Sequence, residues 1–69
     1  MIKDYTILIW YSEDDGGYIA QIPELHGCIV FGETPEKAAR EIQIAGQMLI
    51  DTIKENGDPL PEPRERQIA

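Results

Sequence analysis

The stretch 18–39, YIAQIPELHGCIVFGETPEKAA, constrains the fold more than any other part of the chain. It spells a strand, a tight Pro-Glu-Leu-His-Gly corner, a second strand and a capped helix start. Pro23 ends the first of these strands, because proline has no amide to give a ladder. Thr34 suits the N-cap, where its hydroxyl accepts a hydrogen bond from an amide that the first helical turn leaves without a partner. Pro35 comes next, at the first helical position, where its missing N–H costs nothing and its fixed φ fits the helix. Glu36 adds negative charge at the positive end of the helix dipole. The residues before this unit are left to supply another strand, and those after it a helix to cover the sheet.

Residues 4–11, DYTILIWY, are rich in β-branched and aromatic side chains and read as that strand. Residues 13–17, EDDGG, form a turn in which the glycines are free to take positive φ. The chain returns as a strand over 18–22, turns, and runs out as a third over 27–31, with Gly32 as its exit. The helix is expected from Pro35 to Glu55 or Asn56, with Gly57 at the left-handed position that closes many helices. At 3.6 residues per turn, Ala38, Ile42, Ala45, Leu49 and Ile53 share one stripe, flanked by Ala39 and Ile50. Gly46 costs about 1 kcal/mol against alanine in mid-helix, and reads either as a close backbone approach or as drift. The expected class is α+β, a three-stranded antiparallel sheet packed on one helix in the order β-β-β-α, as a single domain over 1–57. Residues 58–69 form a proline-rich extended tail, with a short fourth strand as the alternative, and Leu60 is the apolar anchor of its DPLPEP segment.

The first strand has an excess of apolar surface. Ile7 and Ile9 point to one face, while Leu8 and Trp10 point to the other. A single helix covers only one face. The other, carrying either Leu8 and Trp10 or Ile7 and Ile9, is then a self-association or partner surface. Ile44 and Met48, one helical turn apart beside the main stripe, form a second patch. With Leu60 they make up the expected oligomer interface. Size points the same way. A chain of 69 residues buries only about 60% of its unfolded surface. Such domains lean on disulfides, a metal or oligomerisation. Cys28 is the only cysteine and His26 the only histidine, so the first two supports have no material. A homo-oligomer, dimer or tetramer, is the remaining expectation. No apolar run approaches ~20 residues and no leader pattern opens the chain, so a cytoplasmic protein without membrane partners is expected.

Thirteen acids against six bases give a formal charge of −7. Direct nucleic-acid binding is not expected from such a balance, because neutralising phosphates supplies most of that affinity. Residues 1–33 hold six of the acids and one base, Lys3. The sheet half is thus the acidic half, suited to a basic partner through steering and complementarity. Its expected contact surface comprises Glu13, Asp14, Asp15 and Tyr18 of the hairpin, with Leu8 and Trp10.

The sequence carries no recognisable catalytic constellation, so neither an enzyme nor a cofactor is expected. Cys28 lies mid-strand, where a free cysteine is most often a small buried hydrophobe. His26 lies in a turn, where a solvated side chain is the ordinary reading. Glu13, Asp14 and Asp15 lack the alternating ligands and closing glutamate of a calcium loop. No phosphate-cradling glycine loop is present. A nuclease would need several carboxylates converging on two metals, and only Asp4 falls on an expected strand.

With the elements placed, the chain resembles the HicB antitoxin family. The resemblance is carried by Tyr18-Ile19-Ala20-Gln21-Ile22-Pro23-Glu24-Leu25, by Gly27-Cys28, and by Gly32-Glu33-Thr34-Pro35-Glu36-Lys37-Ala38, and it extends weakly through 57–63. It implies a sheet-and-helix layout likened to part of a ribonuclease H fold. It also implies a role in binding and blocking HicA, a small basic RNA-cleaving toxin. His26 stands where the family commonly has proline. Many members carry a C-terminal DNA-binding segment, and neither a second helix nor a basic patch comes after residue 63 here, so operator binding is not expected.

Overall fold

The computed structural model describes residues 5–62. In chain order they form β1 (Leu8–Ser12), β2 (Gly17–Gln21), β3 (Ile29–Gly32) and α1 (Pro35–Glu55). The strands make one antiparallel sheet in the order β1-β2-β3. The helix packs across one side of it, mainly over β3 and β2. This is the α+β arrangement expected from the sequence.

Each junction has a local cause. The hairpin loop Glu13–Gly16 is closed by the Gly16 amide donating to Ser12 O at 2.9 Å, with Gly16 at φ 71°. At the corner, Leu25 N donates to Ile22 O at 3.1 Å and Cys28 N to Leu25 O at 3.0 Å. Gly27 takes φ 79° inside the second of these turns, a conformation that glycine adopts without steric cost. Gly27 and Cys28 are therefore turn residues, and β3 begins at Ile29 rather than at residue 27. The first strand is also shorter than expected. The Thr6 amide donates to both oxygens of the Glu24 carboxylate at 3.1 Å, and the Thr6 hydroxyl to one of them at 2.9 Å. Thr6 thus spends its amide on a side chain, and ladder pairing starts at Leu8.

The helix ends are those the sequence specifies. Thr34 Oγ1 accepts from Lys37 N at 3.1 Å. At the other end Gly57 takes φ 76°. Its amide donates to Lys54 O at 3.0 Å, and the Asp58 amide to Ile53 O at 3.2 Å, the paired bonds of a Schellman closure. The buried row is Ala38, Ile42, Gly46 and Ile50, with Ala45, Leu49 and Ile53 half-buried beside it. The contact line runs along one four-residue ridge of the helix, so Gly46 and Ile50 lie deepest where Ala45 and Leu49 were expected.

The core joins this row to Tyr5, Ala20, Ile22, Leu25 and Cys28. Leu60 packs against it from the tail, and the Tyr5 hydroxyl donates to Pro61 O at 2.6 Å. Residues 58–62 form no strand, which removes the fourth-strand alternative for that part of the tail. Asp4, Lys3 and residues 63–69 lie outside the described residues.

Candidate functional site

Strand register sorts the side chains onto two faces. Cross-strand partners share a face, and successive residues alternate. Ile9, Ala20 and Val30 align in one row, and Tyr11, Tyr18 and Gly32 in the next. Ala20 is buried and Val30 packs on the core, so this is the side that α1 covers over β2 and β3, while Ile9 and Tyr11 of β1 stay exposed. The opposite face carries Leu8, Gln21 and Ile29 in one row and Trp10, Ile19 and Phe31 in the other, with Ser12 and Gly17 beyond.

No part of the described chain covers that outer face. Leu8 and Trp10 are each 42% exposed, Ile29 53% and Phe31 44%, far more open than side chains of their size are in a core. None of the eight described residues on this face is charged. Gln21 is its one carboxamide, on the central strand in the end row with Leu8 and Ile29, and that carboxamide makes no hydrogen bond among the described residues. The Phe31 ring folds over Gly17: a Cβ on that glycine would stand 2.5 Å from Phe31 Cζ. Glycine at 17 therefore lets the aromatic lie flat on the sheet.

The surface residues expected from the sequence do not form one patch. Leu8 and Trp10 lie together on the outer face. Tyr18 lies on the helix side, half-buried, and meets Tyr11 edge-on with ring centroids 5.2 Å apart. Glu13, Asp14 and Asp15 sit at the exposed hairpin tip, with Asp15 accepting from the Ser12 hydroxyl at 2.8 Å. Ile44 and Met48 are 51% and 64% exposed and point away from the sheet, roughly opposite the buried row on the helical wheel. Leu60 is turned inward to the core of its own chain. The members of the outer face beyond Leu8 and Trp10 are not evident from the sequence. Their signal is the alternation of Ile29 and Phe31 against Cys28 and Val30, which identifies a face only once the register to β1 is known.

A second feature comes from the topology. The β1–β2 tip, the exit of β3 and the start of α1 all lie at one end of the sheet, since Ser12 pairs with Gly17 and Tyr18 with Gly32. That end gathers the exposed acids Glu13, Asp14, Asp15, Glu33, Glu36 and Glu41 against two bases, Lys37 and Arg40. Lys37 is already paired with Glu33 at 3.2 Å. A shallow groove of about 340 Å³ opens there, lined by Phe31, Gly32, Glu33, Lys37, Arg40 and Glu41.

The remaining polar groups have structural surroundings. Glu24 anchors Thr6, so one acid of the sheet half serves the fold. Cys28 is buried, and burial pushes its thiol above the ordinary value. His26 is exposed in the corner. Among the described residues no three His, Cys, Asp or Glu side chains gather where an ion would sit, and no helix is long and apolar enough to cross a membrane.

No family model matches the chain. It is 36% identical over 66 residues to the UPF0150 protein ssl0259 of Synechocystis, covering 96% of this chain and 88% of that one. It is 38% identical over 61 residues to the UPF0150 protein ssr1765 of the same organism, covering 88% and 76%. With the UPF0150 protein Ta0767 of Thermoplasma acidophilum it shares 30% over 65 residues, covering 94% and 93%. These names state no activity. Similarity at this level, from a cyanobacterium to an archaeon and over nearly the whole length, spans every element described above, and the chain belongs to the UPF0150 family.

Proposed function

We propose that this chain is a protein-binding module of the HicB antitoxin type, one that neutralises a small basic RNA-cleaving toxin of the HicA type by covering it. The observation that carries the reading is the acidic end of the sheet, where six exposed acids stand against two bases, one of them paired with Glu33. Carboxylates on a turn and a helix start attract a cationic surface over a Debye length of about 10 Å and complement it on contact. The residues that carry the resemblance to HicB lie on β2, on the corner, at Gly32 where β3 ends and on the helix start, and so include part of this end. In this reading the chain binds and does not catalyse, and it makes no direct contact with nucleic acid.

Calorimetric titration with a HicA-type protein tests the proposal. Binding is expected at about 50 mM salt and is expected to weaken strongly by about 500 mM, since exposed charges are screened. RNA cleavage by the toxin falls as the chain binds it at low salt and returns where binding is lost. Reversing Glu13, Asp14 and Asp15 to lysine lowers the affinity at least tenfold. Absence of binding at low salt overturns the reading. A second reading, a homo-oligomer acting without a toxin, draws its support from the uncharged outer face.

A further inference from the structure

We infer that the outer face of the sheet docks a second copy of this chain, about a two-fold axis passing beside Gln21. This deepens the self-association in the proposal above and does not depend on a toxin, so the two fail separately. It also divides the expected contact residues. Leu8 and Trp10 serve the second copy, while the acidic hairpin tip stays free at the rim.

Three observations single out this occupant. The first is charge. Leu8, Trp10, Ile19, Gln21, Ile29 and Phe31 include no ionisable side chain, although the whole chain carries −7. A basic partner would find nothing to complement on this face, and an acidic one nothing to attract it. The second is Gln21. It lies on the central strand between Leu8 and Ile29, and its carboxamide has both donor and acceptor free among the described residues. A carboxamide is complementary to itself when rotated by half a turn, giving two N–H···O bonds. An isologous interface sets identical residues opposite one another only at its axis, and Gln21 is the side chain on this face that gains from that position.

The third is area. Leu8, Trp10, Ile29 and Phe31 carry on the order of 350 Å² of open apolar surface per copy, taking ~200 Å² for each whole side chain. Two copies then bury about 700 Å² of it, and the interstrand rows and Gln21 add to that. The total stays below the ~1,200 Å² of stable specific interfaces and is that of a weak, transient contact. The dimer is therefore reversible, with a dissociation constant expected in the micromolar range. Two sheets so packed lie about 10 Å apart with strands near −30°.

Sedimentation equilibrium of the full chain, at about 50 and 500 mM salt, tests the inference. The wild type is expected to reach twice 7.8 kDa, and to dimerise more tightly at the higher salt, where repulsion between two acidic copies is screened. This is the reverse of the toxin titration. Ile29→Lys, at an exposed position, weakens dimerisation at least 100-fold, because each lesion counts twice, with circular dichroism unchanged. Gln21→Glu sets two carboxylates side by side at the axis, so its dimer forms near pH 4 and dissociates near pH 7. Ile44→Lys with Met48→Lys leaves the wild-type constant unchanged. The inference is overturned by a monomer at 500 µM in both salts. It is equally overturned if the helix double variant abolishes assembly while Ile29→Lys spares it, or if Gln21→Glu dimerises alike at both pH values.

Discussion

Gly32 shows how one residue fixes the distance between layers. A Cβ there would stand 2.6 Å from Ala38 Cα and 2.9 Å from the Lys37 carbonyl carbon. The obstacle is helix backbone, which cannot swing aside as a side chain would. Gly32→Ala is therefore expected to lose about 2 kcal/mol of stability in urea unfolding, the usual scale of overpacking. Cys28 makes a second prediction, of opposite character. Burial raises its thiol above the ordinary 9.0, so the folded chain holds that proton more tightly than the unfolded one. Its contribution is complete below pH 9.0 and is lost as the pH rises through the folded-state value. The urea midpoint of the wild type is expected to drop above pH 9.0 by more than that of Cys28→Ala. The native thiol should also react slowly with iodoacetamide at neutral pH, since the thiolate is the nucleophile.

At the scale of elements, the helix was legible to the residue because its signals are local. Thr34, Pro35 and Gly57 act on amides and carbonyls within a few positions of themselves, and no tertiary contact is needed to read them. Thr34→Ala, which removes the Oγ1 acceptor, is expected to cost about 1 kcal/mol by thermal or urea unfolding. Strand ends were less legible because their causes are distant. The Glu24 carboxylate that takes the Thr6 amide lies 18 positions away, and nothing in the run 4–11 announces it. The outer face was half legible for the same reason. Leu8 and Trp10 betrayed an apolar excess within one strand, but Ile19, Ile29 and Phe31 join them only through the pairing of β1 with β2 and of β2 with β3. In the second half of the helix the buried row lies one position further on, at Gly46 and Ile50, because the sheet, and not the helical wheel, decides which ridge is covered.

For the molecule as a whole, one layer of helix on one layer of sheet gives a body only 17 Å thick in its shortest dimension. Such a slab has little interior, and its two ends must be held by contacts between distant segments. The Tyr5 hydroxyl reaches Pro61 O across 56 positions of sequence, and Leu60 beside it packs on the core. Together they close the chain over the open end of the core, near where Tyr5 is buried. Tyr5→Phe removes the hydrogen bond and is expected to cost about 1 kcal/mol. Leu60→Ala removes a half-buried side chain and is expected to cost about 1–2 kcal/mol. Both act on one short segment, so the double variant should cost less than the sum by about 0.5 kcal/mol or more, the coupling of residues that share a lock. Concentration separates this role from an oligomer contact. If Leu60 serves the core of its own chain, its loss is the same at 5 and 500 µM, whereas a side chain seated on a neighbouring copy would cost more as concentration rises. The fold places Leu60 inward, and the concentration-independent result is the one expected.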